Sequence, residues 1–159
     1  MSAALITATV LGLGGLVYTG VLGFLAGSSA AVSQHAGFGI FFTFILLLAH
    51  SMTMFYLIGK GKAVREAAEE GQLSGSFYTT VARARKPVFS VGTVAMFLTM
   101  ATGIVGGGVD TGSIPAGVHS ILALSAIAAN VMAFRTEVSA MLESARVVAE
   151  VDALLAGNT

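Results

Sequence analysis

Four stretches of this chain, at about residues 4–26, 37–59, 88–107 and 116–134, contain no Lys, Arg, Asp or Glu. Each is close to the ~20 apolar residues that cross ~30 Å of hydrocarbon at 1.5 Å per residue. A soluble domain of 159 residues rarely leaves such intervals uncharged; here charged residues are 10 % of the chain and the mean hydropathy is +0.88. The pattern predicts an all-α fold: an integral membrane bundle of four antiparallel transmembrane helices forming a single domain.

The charges fix the expected orientation. Lys60, Lys62, Arg65, Arg83, Arg85 and Lys86 lie between the second and third stretches, and Arg135 and Arg146 follow the fourth. All eight cations therefore fall on one side, which the positive-inside rule makes cytoplasmic. Two crossings before the loop place the N-terminus on the same side as the C-terminus. Asp110 is the one acid expected on the opposite side. The expected location is a bacterial inner membrane. The apolar run at the N-terminus is longer than a signal peptide core and no cation precedes it, so it reads as a retained first helix.

Composition removes several chemistries. Without cysteine there are no disulfides, thiolate metal sites or cysteine nucleophiles. A net charge of zero gives no argument for a nucleic-acid partner. No Ser–His–Asp set or HExxH motif is present, so hydrolysis has no candidate. The four apolar stretches hold no carboxylate, which removes the usual proton relay or ion-coupling site of a transporter. The glycines Gly106, Gly107 and Gly108 lack the Lys and Ser/Thr that a phosphate loop needs.

Between the second and third stretches, residues 60–86 read as a cytoplasmic helical hairpin broken at Gly71–Gly75, with Ser76 as the cap of the returning arm. Pro87 is expected to begin the third membrane helix, where its missing N–H does little harm. Residues 135–156 keep a helical apolar stripe through Val138, Leu142, Ala145, Val151 and Leu155, with Arg135, Glu137, Glu143, Arg146 and Glu150 elsewhere. This C-terminal amphipathic helix is expected to lie on the membrane surface, extend the fourth span, or pack on the hairpin or another subunit. In the first helix Gly15, Thr19, Gly23 and Gly27 form a ridge of small side chains suited to close packing, inside the bundle or against a partner.

The ionisable groups within the spans are the site candidates. They are His50 near the middle of the second helix, His119 in the outer third of the fourth, and His35 at the outer mouth of the second. Two histidines on separate helices of a bundle suit the axial positions of a b-type haem, and His50 with His119 is the better pair. Thr43, Leu46, Leu47, Thr53 and Met54 share the His50 face; Ala123, Ala126 and Asn130 share the His119 face. Depth argues against the pairing: His50 is ten residues from Lys60 and His119 sixteen from Arg135, an offset of roughly 9 Å for straight helices. The alternative is a neutral histidine tied by hydrogen bonds to neighbouring helices, with Asn130, Thr43, Thr53 and Thr99 as polar glue. Met52, Met54, Met96, Met100 and Met132 read as gap fillers rather than copper ligands.

The segment His50-Ser-Met-Thr-Met-Phe-Tyr-Leu-Ile-Gly-Lys-Gly-Lys62, with a second histidine soon after a proline at Pro115–His119, resembles small bacterial membrane proteins of four predicted helices. That resemblance covers about a third of the chain and implies no activity. More loosely, the layout is similar to the haem b membrane anchors of quinone-linked oxidoreductases. This implies axial histidines on separate helices, here His50 and His119, and a quinone or soluble protein as electron partner. No Ser/Arg/Tyr quinone cluster matches that pattern. Two expectations follow, both for a subunit of a larger membrane complex without a catalytic set of its own. One is an electron-transfer anchor binding haem b through His50 and His119. The other is a structural accessory subunit with no cofactor.

Overall fold

The computed structural model describes residues 1–157 and is all-helical. Its helices are α1 (Ser2–Leu25), α2 (Ser29–Glu70), α3 (Phe77–Asp110) and α4 (Ala116–Gly157). Each contains a segment long and apolar enough to cross a membrane. Successive helices run antiparallel. α1 packs on α2 and α4 but not on α3, whereas α2 touches all three others. The bundle is therefore a four-sided ring with α2 and α4 meeting across its short diagonal.

The helices are longer than their apolar stretches. α2 and α4 have 42 residues each, about 63 Å at 1.5 Å per residue and about twice the hydrocarbon thickness. The excess lies at the basic end, where α2, α3 and α4 continue beyond α1. Two buried clusters mark the two levels. Leu5, Met54, Leu57, Val88, Ala140 and Met141 draw on all four helices. Val64, Phe77, Val81, Val147 and Val151 come from α2, α3 and α4 only. The hairpin and the C-terminal helix are thus the continuations of three bundle helices packed into a three-helix extension. Of the arrangements expected for residues 135–156, α4 both extends the fourth span and packs on the hairpin.

The start of α3 differs from expectation. Pro87 lies inside the helix, ten residues after its first residue. A mid-helix proline removes one i→i−4 bond and costs about 3 kcal/mol. Val81 below it and Val88 beside it are both fully buried, in separate clusters, and this packing on both sides carries the helix through. Ser76 precedes α3 without a side-chain cap bond. Instead its carbonyl accepts from the Thr79 and Thr80 hydroxyls, at 2.8 and 3.0 Å. At the other end α3 runs through the glycine triplet to Asp110, and Gly112 takes the left-handed conformation (φ 70°) that glycine adopts without strain.

The small-residue ridge of α1 seats α2. A Cβ on Gly12 would press on Leu46, one on Gly15 would overlap the Phe42 ring, and one on Gly23 would come within 2.7 Å of His35 Cε1. Gly27 has open space around it. Three of the glycines therefore let α1 and α2 approach within the bundle.

Candidate functional site

Four buried polar side chains, His50, Thr99, Asn130 and Glu137, form one connected cluster on three helices. His50 projects from α2 with no exposed surface. Its Nδ1 lies 2.6 Å from Glu137 Oε1, and its Nε2 lies 2.8 Å from Asn130 Oδ1, both on α4. Asn130 Nδ2 donates to Thr99 Oγ1 on α3 at 2.8 Å and to the Ala126 carbonyl at 2.7 Å. Thr99 in turn donates to the Ala95 carbonyl at 2.7 Å. Asn130 and Glu137 meet the same ring because seven residues span nearly two helical turns, which leaves both on one face.

The chain of donors fixes the proton inventory. A backbone carbonyl only accepts, so the Asn130 nitrogen must face Ala126 and the amide oxygen must face His50. That oxygen requires an N–H on His50 Nε2. The remaining contact, Nδ1 to Glu137 Oε1, then holds one proton. It is either an imidazolium on a carboxylate or an imidazole accepting from a carboxylic acid. Net charge is zero in both forms. With no proton there, two lone pairs would face each other at 2.6 Å. With a second proton, the dry interior would carry an uncompensated positive charge. One turn further along α2, the buried Thr53 hydroxyl has no hydrogen-bond partner among the described residues.

The other two histidines meet near the far end of the bundle. The rings of His35 and His119 stand edge to face with centroids 6.0 Å apart. His35 Nδ1 donates to the Thr19 carbonyl at 2.8 Å. His119 leans on α3 at Gly106, where an added Cβ would come within 3.1 Å of its Cε1. Its Nδ1 is buried and has no partner among the described residues. Both rings are partly exposed, unlike His50.

His50 and His119, expected as a ligand pair, are not brought together. His119 is eleven residues from Asn130, the residue that holds His50, or about 16 Å along α4. Axial ligands must stand on opposite sides of one iron, and both ring nitrogens of His50 are already bonded within the protein. The residues present do not fit a haem between these two side chains. Among the described residues no group of three or more His, Asp and Glu side chains is placed to hold a metal ion.

Glu137 is the group that the sequence reading misplaced. Expected on the polar side of a C-terminal amphipathic helix, it is 2 % exposed and faces His50. The four apolar stretches hold no carboxylate, but this one, three residues beyond the fourth, is drawn into the core. Its signal lies in α4 itself: Ala126, Asn130, Ala133, Glu137, Ala140, Ser144, Val147 and Val151 are all buried and recur every three or four residues. This seam crosses the boundary at Phe134 without a break. Asn130 and Thr99, read as glue between helices, do join α4 to α3.

In comparisons with known proteins, no family model matches the chain, and no curated protein or solved structure matches it either.

Proposed function

We propose that this chain is a structural accessory subunit of a membrane complex, embedded as four spans with its basic extension in the cytoplasm of a bacterial cell. One observation supports this above the others. The only fully buried histidine among the described residues spends both ring nitrogens on Glu137 and Asn130, clamping α2 to α4 and, through Thr99, to α3. Within that cluster both nitrogens of the imidazole and both ends of the Asn130 amide are committed to bonds between or along the helices. The exposed apolar belt, which includes Phe41, Phe44, Phe55, Phe97, Ile104 and Ile121, suits lipid tails or a neighbouring helix equally. The orientation follows from the cations at one end.

The test is affinity purification of the tagged chain from gently solubilised membranes, with wild type compared against Glu137→Ala. Stable co-purifying membrane proteins that are lost when the clamp is removed support the role. A wild-type chain that runs alone and keeps the same size in every mild detergent tried overturns it.

A second reading is favoured by the one-proton contact between His50 and Glu137, which is a proton-loading site if the bundle opens to water. Infrared difference spectra between H2O and D2O then show an exchange-sensitive band that vanishes in Glu137→Gln; the absence of any exchange at this contact excludes this reading. An electron-transfer role with haem b on His50 and His119 has no geometric support here. It predicts a Soret band in protein expressed with ample haem, and a colourless preparation removes it.

A further inference from the structure

The eight cations are not partnered alike. Lys62, Arg65 and Arg146 sit within 4 Å of Glu66, Glu69 and Glu143. Lys60 lies over the Tyr56 ring, and Arg85 over Tyr78, whose hydroxyl it also contacts. Arg83, Lys86 and Arg135 have no carboxylate, ring or hydrogen-bond partner among the described residues. All three are exposed; Arg135 lines a notch, and Arg83 and Lys86 are sequence neighbours of the α3 residues that line its other wall. The notch, of about 360 Å³, opens between α3 and α4, lined by Ala84, Pro87, Met132, Arg135, Thr136 and Ser139. Arg83 is one helical turn before Pro87, and Lys86 immediately precedes it.

The notch also has a distinctive depth. Pro87 immediately precedes the third apolar stretch and Arg135 immediately follows the fourth. In a membrane this is the level of the lipid headgroups, with the apolar Met132 toward the hydrocarbon. The polar groups available are mainly donors. Arg135 offers a guanidinium, which matches a phosphate with two parallel N–H bonds. The Ser139 hydroxyl makes no bond within the chain among the described residues. The Thr136 hydroxyl is already given to the Ala133 carbonyl, at 2.8 Å. Pro87 brings no N–H, so the Arg83 carbonyl lacks its usual helical donor and is left to accept from a headgroup hydroxyl.

We infer that the α3–α4 notch at the basic end binds the headgroup of an anionic glycerophospholipid, its phosphate on Arg135 and Ser139 within the field of Arg83 and Lys86. This inference rests on the membrane reading and adds a ligand to it. Basic recesses between spans at the cytoplasmic face are suited to this chemistry, and each cation near an anionic surface contributes about 1 kcal/mol, roughly a fivefold change in affinity.

The test is native mass spectrometry of the detergent-purified full-length chain, titrated with phosphatidylglycerol and, separately, with phosphatidylcholine of the same acyl chains. The expected result is preferential retention of phosphatidylglycerol. Arg135→Gln lowers that preference about fivefold, and Arg83→Gln with Lys86→Gln lowers it further. Arg146→Gln, whose side chain pairs with Glu143 in the extension, leaves it unchanged. Ser139→Leu fills the notch without altering charge and also reduces retention. Equal retention of both lipids by the wild type, no response to Arg135→Gln, or full preference in Ser139→Leu overturns the proposal; the last would mean diffuse attraction to a charged surface. Displacement of phosphatidylglycerol by equimolar inorganic phosphate would also overturn it, assigning the site to the free anion. If neither lipid is retained and the protein stays dispersed without detergent, the membrane reading itself fails.

Discussion

His50 and the His35–His119 pair are the same side chain in two solvents. His50 is sealed in a dry interior, and both its nitrogens are matched to groups on α4. His35 and His119 meet near the loop end of the bundle, partly exposed, with one ring bonded to a carbonyl and the other holding an unmatched Nδ1. The contrast shows that partner supply, rather than residue type, sets how much a membrane histidine holds together. Leaving a buried polar atom unpaired costs stability, so the two-sided bonding of His50 holds helices together in a way that the unpartnered, buried Nδ1 of His119 does not.

The contrast breaks most readily at Glu137. Glu137→Ala leaves His50 Nδ1 buried without a partner, and loss of one member of such a pair costs about 3–5 kcal/mol. Unfolding in detergent monitored by circular dichroism should show that loss; a drop below about 1 kcal/mol would mean that the interior admits water. Asn130→Ala orphans the His50 Nε2 proton and the link to Thr99, with an expected cost of about 1–3 kcal/mol in the same assay. Glu137→Gln is milder, because its amide N–H can donate to Nδ1 and keep the bond. A loss of about 1 kcal/mol, well short of the Ala variant, identifies the contact as a one-proton hydrogen bond rather than an obligatory ion pair. The far pair should barely respond. His35→Phe gives up one bond to the Thr19 carbonyl, about 0.6 kcal/mol by the average for interhelical bonds in membranes. If His35→Phe destabilises as much as Glu137→Ala, the two stations are equivalent and the comparison fails.

Much of the helical architecture was readable because charge-free runs are a coarse signal. Their number and alternation also placed the cations at one end. The boundaries were less legible. Pro87 reads locally as a helix start, yet burial of Val81 and Val88 on either side of it overrides that preference. The sequence identified His50 as a site candidate, but not its acidic partner. Glu137 follows Arg135 by two residues, and a window average treats both as the polar side of a boundary. In the helix they are about 200° apart, so one faces outward and the other faces the core. The pairing of His50 with His119 finds no support in the geometry for a related reason: a shared bundle does not imply shared depth, and His119 is eleven residues along α4 from the Asn130 that holds His50.

Between Gly117 and Gly157, α4 has neither proline nor glycine. Glu137 stands midway along this unbroken rod, while Val147 and Val151 anchor its lower half to the three-helix extension. The basic end and the buried carboxylate are therefore joined by continuous helix on both sides of the 2.6 Å contact, through Val64 of α2 and through Val147 of α4, so the extension sets the relative register of the two helices that carry His50 and Glu137.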